Sequence, residues 1–153
     1  MRALELKIPP PAVALLIGVL MWLVSGAKPA LGFVIPASSL VAISLAVVGL
    51  VTSVSGVVTF WRAKTTVNPN KPQSSTSLVS SGVYGITRNP MYLGLLLVLT
   101  GWAIFLSNAL AFLFLPAYIL YINRFQIIPE ERVLASLFGR EFAAYQNRVR
   151  RWL

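Results

Sequence analysis

The chain has 153 residues, of which 57% are hydrophobic and only 11% are charged, whereas an ordinary soluble domain carries about 25% charged residues. It contains no cysteine and no histidine, which excludes disulfides, thiolate nucleophiles and the commonest metal ligands and general bases. The net charge of +9 accompanies no nucleic-acid-binding motif, so it indicates contact with anionic lipid headgroups rather than with nucleic acid. We therefore predict a membrane protein without a metal site.

Four apolar segments are predicted to be membrane-spanning helices, and we place them at residues 12–27, 37–61, 91–107 and 109–123. The first segment is short for the roughly 20 residues that a span needs, and Trp22 extends it into the interface. The second contains small residues such as Gly49 and Gly56, which let neighbouring helices approach closely. Asn108 forms the turn between the third and fourth spans, and Pro116 is expected to kink the fourth.

After the fourth span, apolar residues no longer form a continuous run but alternate with polar residues at helical spacing. Pro129 opens a new helix that carries Glu130 and Glu131 in its first turn, and its apolar residues recur at helical spacing. We predict a cytoplasmic amphipathic helix over residues 129–149, followed by a basic and aromatic tail that anchors at the membrane interface. The complete prediction, for residues 1–153, is one all-α integral membrane domain with four spans and this C-terminal helix.

Lysine and arginine are distributed unequally between the two sides of this predicted bundle. If both termini are cytoplasmic, Lys28 is the only one of the 13 Lys and Arg residues that lies outside. We therefore expect cytoplasmic termini, and in a prokaryote a location in the plasma (inner) membrane. The polar segments 76–92 and 124–131 then both face the cytoplasm.

The stretch from residue 76 to residue 94 is polar and rich in turn-forming residues, yet it leads directly into the third span. Gly82 and Gly85 permit positive φ or a close backbone approach, and Pro90 is suited to the first position of a helix. Arg88 and Tyr92 therefore lie where a loop enters a membrane helix, close to unpaired backbone N–H groups. Such a position suits a polar ligand held against an apolar wall.

This stretch resembles the signature of the isoprenylcysteine carboxyl methyltransferase family, which is related to the membrane phospholipid N-methyltransferases. The residues that carry the resemblance are Leu78-Val79-x-x-Gly82-x-Tyr84-x-x-x-Arg88-Asn89-Pro90-Met91-Tyr92-x-Gly94, and then Glu130-Glu131-x-x-Leu134-x-x-x-Phe138-Gly139-x-Glu141-Phe142-x-x-Tyr145. The resemblance implies an enzyme that uses S-adenosyl-L-methionine to methylate a membrane lipid or a small hydrophobic acceptor within the lipid bilayer.

The resemblance also implies roles for individual residues. It implies cofactor binding by Thr76, Leu78, Val79, Tyr84, Asn89, Pro90, Met91, Tyr92 and Glu130, and catalytic roles for Arg88, Glu131 and Arg124. Taken without the resemblance, Glu130 and Glu131 equally suit the positive end of a helix dipole, and Arg88 and Tyr92 equally suit interfacial anchors.

Two positions depart from the family's pattern. Asn89 stands where the familiar motif has histidine, and its amide can donate and accept hydrogen bonds but does not titrate. Gln126 stands where prenylcysteine enzymes place an arginine that is thought to face the substrate carboxylate, and Arg124 lies two residues earlier. The resemblance therefore leaves the acceptor open.

Three functions remain for comparison with the structure. The first is methyl transfer to a carboxylate, a thiol or another group of a hydrophobic acceptor. The second is phospholipid N-methylation, which the lack of histidine disfavours because an amine must lose a proton before it attacks. The third is a non-enzymatic membrane scaffold or small transporter, although the spans carry almost none of the ionisable residues that ion pathways usually need.

Overall fold

The described part of the chain is helical, which confirms the all-α prediction. The structure is a computed structural model that describes residues 5–63 and 77–153. The α-helices are α1 (Pro10–Ala27), α2 (Ser38–Arg62), α3 (Pro90–Leu106), α4 (Ala109–Phe112), α5 (Phe114–Ile122) and α6 (Ile128–Arg148). Short 3₁₀ turns cover Pro29–Leu31 and Gly82–Gly85, and a π-helical turn, Asn123–Ile127, joins α5 to α6.

The apolar helices match the predicted spans closely. α1, α2 and the helical run Ala109–Arg148, which includes a turn at Leu113, are long and apolar enough to cross a membrane, and α3 is an apolar helix of 17 residues. The first helix reaches 18 residues because Pro10 takes its first position, where the missing proline N–H has no partner in any case. The described residues therefore form three to four apolar helices that could span a membrane.

Helices α2 and α3 cross through small residues. Ala42, Gly49 and Gly56 are buried and recur every seventh residue along α2, and Gly94 and Gly101 are buried on α3. A Cβ atom added to Gly49 would lie 2.5 Å from the carbonyl oxygen of Gly94, which leaves no room for a side chain. The glycines thus permit the backbone contact that fixes the start of α3 against the end of α2.

The fourth span is interrupted one turn before Pro116. α4 ends at Phe112, whose carbonyl oxygen would accept from the N–H of residue 116 in a regular α-helix. Proline has no N–H, so the chain forms a tighter turn in which the amide of Leu113 donates to the carbonyl of Leu110 at 3.2 Å. The expected effect of Pro116 is therefore seen at Leu113.

Helix α6 begins close to the predicted residue, but it is not a separate element. The helical run passes from α5 into α6 through the π-helical turn. Pro129 has no N–H to donate to the carbonyl of Phe125, and the amide of Leu6 donates to that oxygen instead at 3.0 Å. The N-terminal segment thereby satisfies a backbone group that proline leaves open.

Helix α6, which the sequence predicts as an amphipathic helix, also bends. Gly139 has φ 46° and ψ −114°, outside the helical region, in a conformation that glycine adopts most readily. An apolar cluster forms along the helix, and Leu78 of the loop before α3 packs against it. Its members on α6 and at its end are Leu134, Phe138, Phe142, Tyr145 and Val149. Arg132 and Arg140 are exposed, in keeping with an amphipathic helix, and its location at a cytoplasmic membrane surface stays a prediction.

Candidate active site

The loop before α3 is fixed against the ends of α2 and α6. Gly82 begins its 3₁₀ turn with φ +60°, a left-handed conformation that favours glycine. The ring of Tyr84 packs edge to face on Phe60 of α2, with the ring centroids 5.2 Å apart. The hydroxyl of Tyr145 in α6 donates to the backbone carbonyl of Tyr84 at 2.8 Å. The loop is therefore held on two sides.

Tyr92 and Glu130 meet between α3 and α6. The Tyr92 hydroxyl donates to Oε1 of Glu130 at 2.5 Å, and the Tyr118 hydroxyl donates to the Tyr92 backbone carbonyl at 3.3 Å. The ion pairs found among residues 5–63 and 77–153 involve Glu5 and Glu131, and none involves Glu130. A partly buried carboxyl without a cationic partner is suited to binding a cationic ligand.

The carboxyl of Glu130 lies beyond the apolar span that ends with α5. Burial raises the pKa of this carboxyl to about 8, against the lowering effect of the Tyr92 hydrogen bond, and the neighbouring Glu131 charge raises it further. Burial also raises the pKa of the Tyr84 phenol above its usual value. Both groups are therefore neutral near neutral pH, and a cation beside Glu130 would favour the ionised form of its carboxyl.

Glu131 differs from Glu130 because two arginines bind it. Arg88 Nη2 lies 3.2 Å from Glu131 Oε1, and the two side chains are only 12% and 16% exposed. Arg151 forms a two-pronged pair with the same carboxylate, with Nη2 2.6 Å from Oε2 and Nε 3.2 Å from Oε1. The remaining Arg88 nitrogens, Nε and Nη1, are buried and have no hydrogen-bond partner among the described residues. Such unpaired guanidinium N–H groups suit an anionic ligand, above all a carboxylate.

Asn89, the position where the family's motif has histidine, is bonded within the protein. Its Nδ2 donates to the backbone carbonyl of Arg151 at 2.9 Å, and its backbone amide donates to the hydroxyl of Thr87 at 3.2 Å. Thr87 and Arg151 did not emerge from the sequence as site residues. The only local signal was the basic and aromatic tail itself, which predicts an interfacial anchor rather than a contact with this loop.

Several other predicted residues of the loop and of the start of α3 are apolar. Val79 and Pro90 are buried, and Leu78 packs against the apolar cluster of α6. A Cβ atom on Gly56 of α2 would lie 3.0 Å from Met91 Cγ, 3.2 Å from Pro90 Cγ and 3.5 Å from the Tyr84 hydroxyl, so Pro90 and Met91 lie beside Tyr84. Thr76 lies outside the described residues.

Arg124 lies apart from this group. Its Nη1 pairs with Oε1 of Glu5 at 3.0 Å, and its guanidinium lies 5.6 Å from the ring centre of Phe125. Arg132 pairs with the other oxygen of Glu5 at 3.3 Å, and Gln126 donates to the carbonyl of Ile8 at 2.7 Å. These contacts tie the N-terminal segment to the π-helical turn, and a catalytic role for Arg124 stays a prediction.

An apolar groove of about 730 Å³ runs along the bundle, with walls from α1 and α2 and a floor from α3. Its lining includes Ala14, Gly18, Trp22, Ala46, Leu95 and Trp102. The indole N–H of Trp102 donates to the carbonyl of Gly18 at 3.0 Å, so the one polar group of that side chain is satisfied. Leu95 follows Tyr92 by about one helical turn, which brings one end of the groove towards the candidate site. A groove of this kind can hold an apolar chain.

Comparison with known proteins places these observations in a family context. A family model described as phospholipid methyltransferase matches residues 37–141. Protein-S-isoprenylcysteine O-methyltransferase B of Arabidopsis thaliana is 29% identical over 110 residues, which cover 70% of this chain and 54% of the plant protein.

Two further relatives extend the comparison. A probable protein-S-isoprenylcysteine O-methyltransferase of Oryza sativa subsp. indica is 32% identical over 114 residues, 72% of this chain and 58% of its own length. An uncharacterized protein of Haemophilus influenzae is 52% identical over 63 residues, which cover 41% of this chain and the whole of that protein. The chain spans a little more than half the length of the plant relatives.

Proposed function

Since the chain belongs to the phospholipid methyltransferase family, whose model matches residues 37–141, we propose that it transfers a methyl group from S-adenosylmethionine to a hydrophobic acceptor in the membrane. The family membership confirms the resemblance predicted from the sequence. The observation that carries the proposal is a carboxyl group and a guanidinium group that both have hydrogen-bonding capacity left over. Glu130 has no cationic partner among the described residues, and Arg88 has two buried N–H groups without an acceptor.

These two residues suit the amino-acid part of the cofactor. Glu130 would bind the α-ammonium group and Arg88 the α-carboxylate, because each has the capacity that its ligand needs. The buried Tyr84 hydroxyl also lacks a partner among the described residues and would hydrogen-bond to the ribose or the adenine. Val79 and Met91 would contribute the apolar wall on which the adenine rests.

Methyl transfer requires the protein mainly to align the methyl donor and the acceptor. When bound, S-adenosylmethionine would supply a methyl group activated by its sulfonium: the nucleophile attacks the methyl carbon in line with the carbon–sulfur bond, which breaks and leaves S-adenosylhomocysteine. The residues of the chain bind the two reactants, orient them and exclude water. The lack of histidine is compatible with this reaction when the acceptor is already nucleophilic.

The acidic residues favour a carboxylate or a thiolate as the acceptor. An amine must first lose a proton, and the only acidic residues of the chain are Glu5, Glu130, Glu131 and Glu141. Glu5 and Glu131 are each paired with two arginines, and Glu141 is exposed. Glu130 would be occupied by the cofactor. Phospholipid N-methylation is the alternative, and the description of the matching family favours it.

The acceptor's apolar part would lie in the groove between α1 and α2, which is apolar throughout its lining. An acceptor of this kind is already concentrated in the bilayer, so it would enter sideways rather than from water. With both termini cytoplasmic, as the distribution of lysine and arginine predicts, the Glu130 site faces the cytoplasm, where the cofactor is available.

Calorimetry and methyl transfer test this proposal. The detergent-purified protein should bind S-adenosylhomocysteine with a micromolar dissociation constant. With a methyl-labelled donor, thin-layer chromatography then separates labelled phospholipid from labelled prenylcysteine or fatty-acid esters. Label in the amine headgroup of a phospholipid would select the alternative. If the folded protein binds no S-adenosylhomocysteine, the cofactor site does not exist and the scaffold function takes its place.

Cofactor binding should also release a proton near neutral pH. The Glu130 carboxyl is protonated below its raised pKa of about 8, and the cofactor's ammonium group would favour the ionised form. Affinity for S-adenosylhomocysteine should therefore rise from about pH 6 to about pH 8, because at the lower pH the proton must first be removed. Calorimetry at neutral pH in two buffers of different ionisation enthalpy measures the released protons. Equal observed enthalpies in both buffers would contradict a role for Glu130.

A further inference from the structure

We propose that residues 149–153, which we call the strap, complete the cofactor site, and that Arg151 is a positioning residue that holds Glu131 and, through it, Arg88. The inference rests on the proposed function, because the site that the strap completes is the cofactor site. It concerns three elements that the strap joins: the loop before α3, the π-helical turn and the first turn of α6.

The backbone of the strap is bonded to the loop that carries Arg88. The amide of Arg88 donates to the carbonyl of Arg150 at 3.0 Å. The carbonyl of Arg151 accepts from Asn89 Nδ2 at 2.9 Å and from the hydroxyl of Thr87 at 3.3 Å. Three consecutive loop residues therefore donate to two consecutive strap carbonyls. The side-chain amide of Asn89 thus donates a hydrogen bond to the strap. This role does not need an imidazole.

The side chains of the strap reach the other two elements. Arg151 donates hydrogen bonds to both carboxylate oxygens of Glu131 in the first turn of α6. The indole N–H of Trp152 donates to Oδ1 of Asn123 in the π-helical turn at 3.2 Å. Val149, the first residue of the strap, is extended and buried. The basic and aromatic tail is thus packed into the protein at these residues.

The geometry of Glu131 explains what Arg151 does. An arginine and a carboxylate that are left alone tend to close on each other with two parallel hydrogen bonds. Arg151 already takes both Glu131 oxygens in this way, so Arg88 is bound at Oε1 through Nη2 alone. Arg88 thereby keeps Nε and Nη1 open for the cofactor's carboxylate. Without Arg151, Glu131 would be able to turn to Arg88 and occupy those groups.

Replacing Arg151 with methionine tests the inference, and Arg140→Met is the matched control because Arg140 is exposed on α6, outside the strap. We expect Arg151→Met to weaken S-adenosylhomocysteine binding by at least roughly tenfold, and Arg140→Met to leave it unchanged. In Arg151→Met the KM for S-adenosylmethionine should rise by a larger factor than kcat falls. Arg151→Lys should fall between wild type and Arg151→Met, because lysine keeps the charge but lacks the two-pronged geometry.

A rescue experiment separates positioning from general stability. Adding Glu131→Gln to Arg151→Met removes the carboxylate that would close on Arg88, so part of the lost affinity should return. A further loss in the double variant would overturn the inference, as would equal binding by Arg151→Met and Arg140→Met while the wild type binds normally. Failure of the wild type to bind would instead overturn the proposed function, and the inference with it. If Arg151→Met does not fold, Arg151→Lys decides, and wild-type affinity in that variant overturns the inference.

Discussion

Replacing Glu130 with glutamine should weaken S-adenosylhomocysteine binding by roughly 100-fold or more, the largest effect on binding that we expect from a single change. The substitution removes the only acidic group in the site that no arginine of the described residues already binds. The ligand's ammonium group would then lie in a partly buried site without a counterion, which is costly. Glutamine keeps the size of the side chain and still accepts from the Tyr92 hydroxyl, so the fold should be retained.

The control for this experiment is Glu141→Gln. Glu141 lies on the same helix, α6, and is exposed, so the variant makes the same chemical change away from the site. Its affinity and its thermal unfolding temperature should match the wild type. Glu130→Gln with undiminished affinity, in a wild-type protein that binds, would remove Glu130 from the cofactor site and leave Tyr84 and Arg88 as the remaining polar candidates.

The helices could be predicted from the sequence to within a few residues, because membrane spans depend mainly on local hydropathy and length. The join between α5 and α6 could not be predicted. Pro129 ordinarily marks a helix start, and the helix is continuous here because the amide of Leu6 takes the carbonyl of Phe125. That partner lies more than a hundred residues away in the chain, so no local pattern contains it.

The site shows the same division between local and distant information. The contact between Tyr92 and Glu130 joins residues 38 positions apart, and only the family resemblance placed both in one cofactor site. Arg124 was selected because it precedes Gln126 by two residues, but its partner in the structure is Glu5. For Arg151 the sequence predicts only an interfacial anchor, because a basic residue beside a tryptophan such as Trp152 is typical of one. Its contact with Glu131 depends on how the strap folds back, which sequence spacing does not reveal.

The largest effect on stability should come from Gly94→Ala, which we expect to lower the free energy of unfolding by about 3 kcal/mol. A Cβ atom at Gly94 would collide with the backbone oxygen of Gly49 and with the hydroxyl of Ser53 in α2. The hydroxyl can rotate away, but the backbone oxygen can move only if α2 and α3 separate. Thermal unfolding in one detergent, followed by circular dichroism, measures the change.

Gly26→Ala is the matched control, since a Cβ atom at Gly26 meets nothing within 4 Å and alanine favours the helical conformation of α1. This variant should unfold at or slightly above the wild-type temperature, and a wild-type temperature for Gly94→Ala would contradict the close crossing. Gly94 follows Tyr92 by two residues in the first turns of α3. Separation of α2 from α3 would therefore move the Tyr92 hydroxyl away from Glu130, so the folded fraction of Gly94→Ala should also bind S-adenosylhomocysteine more weakly than Gly26→Ala does.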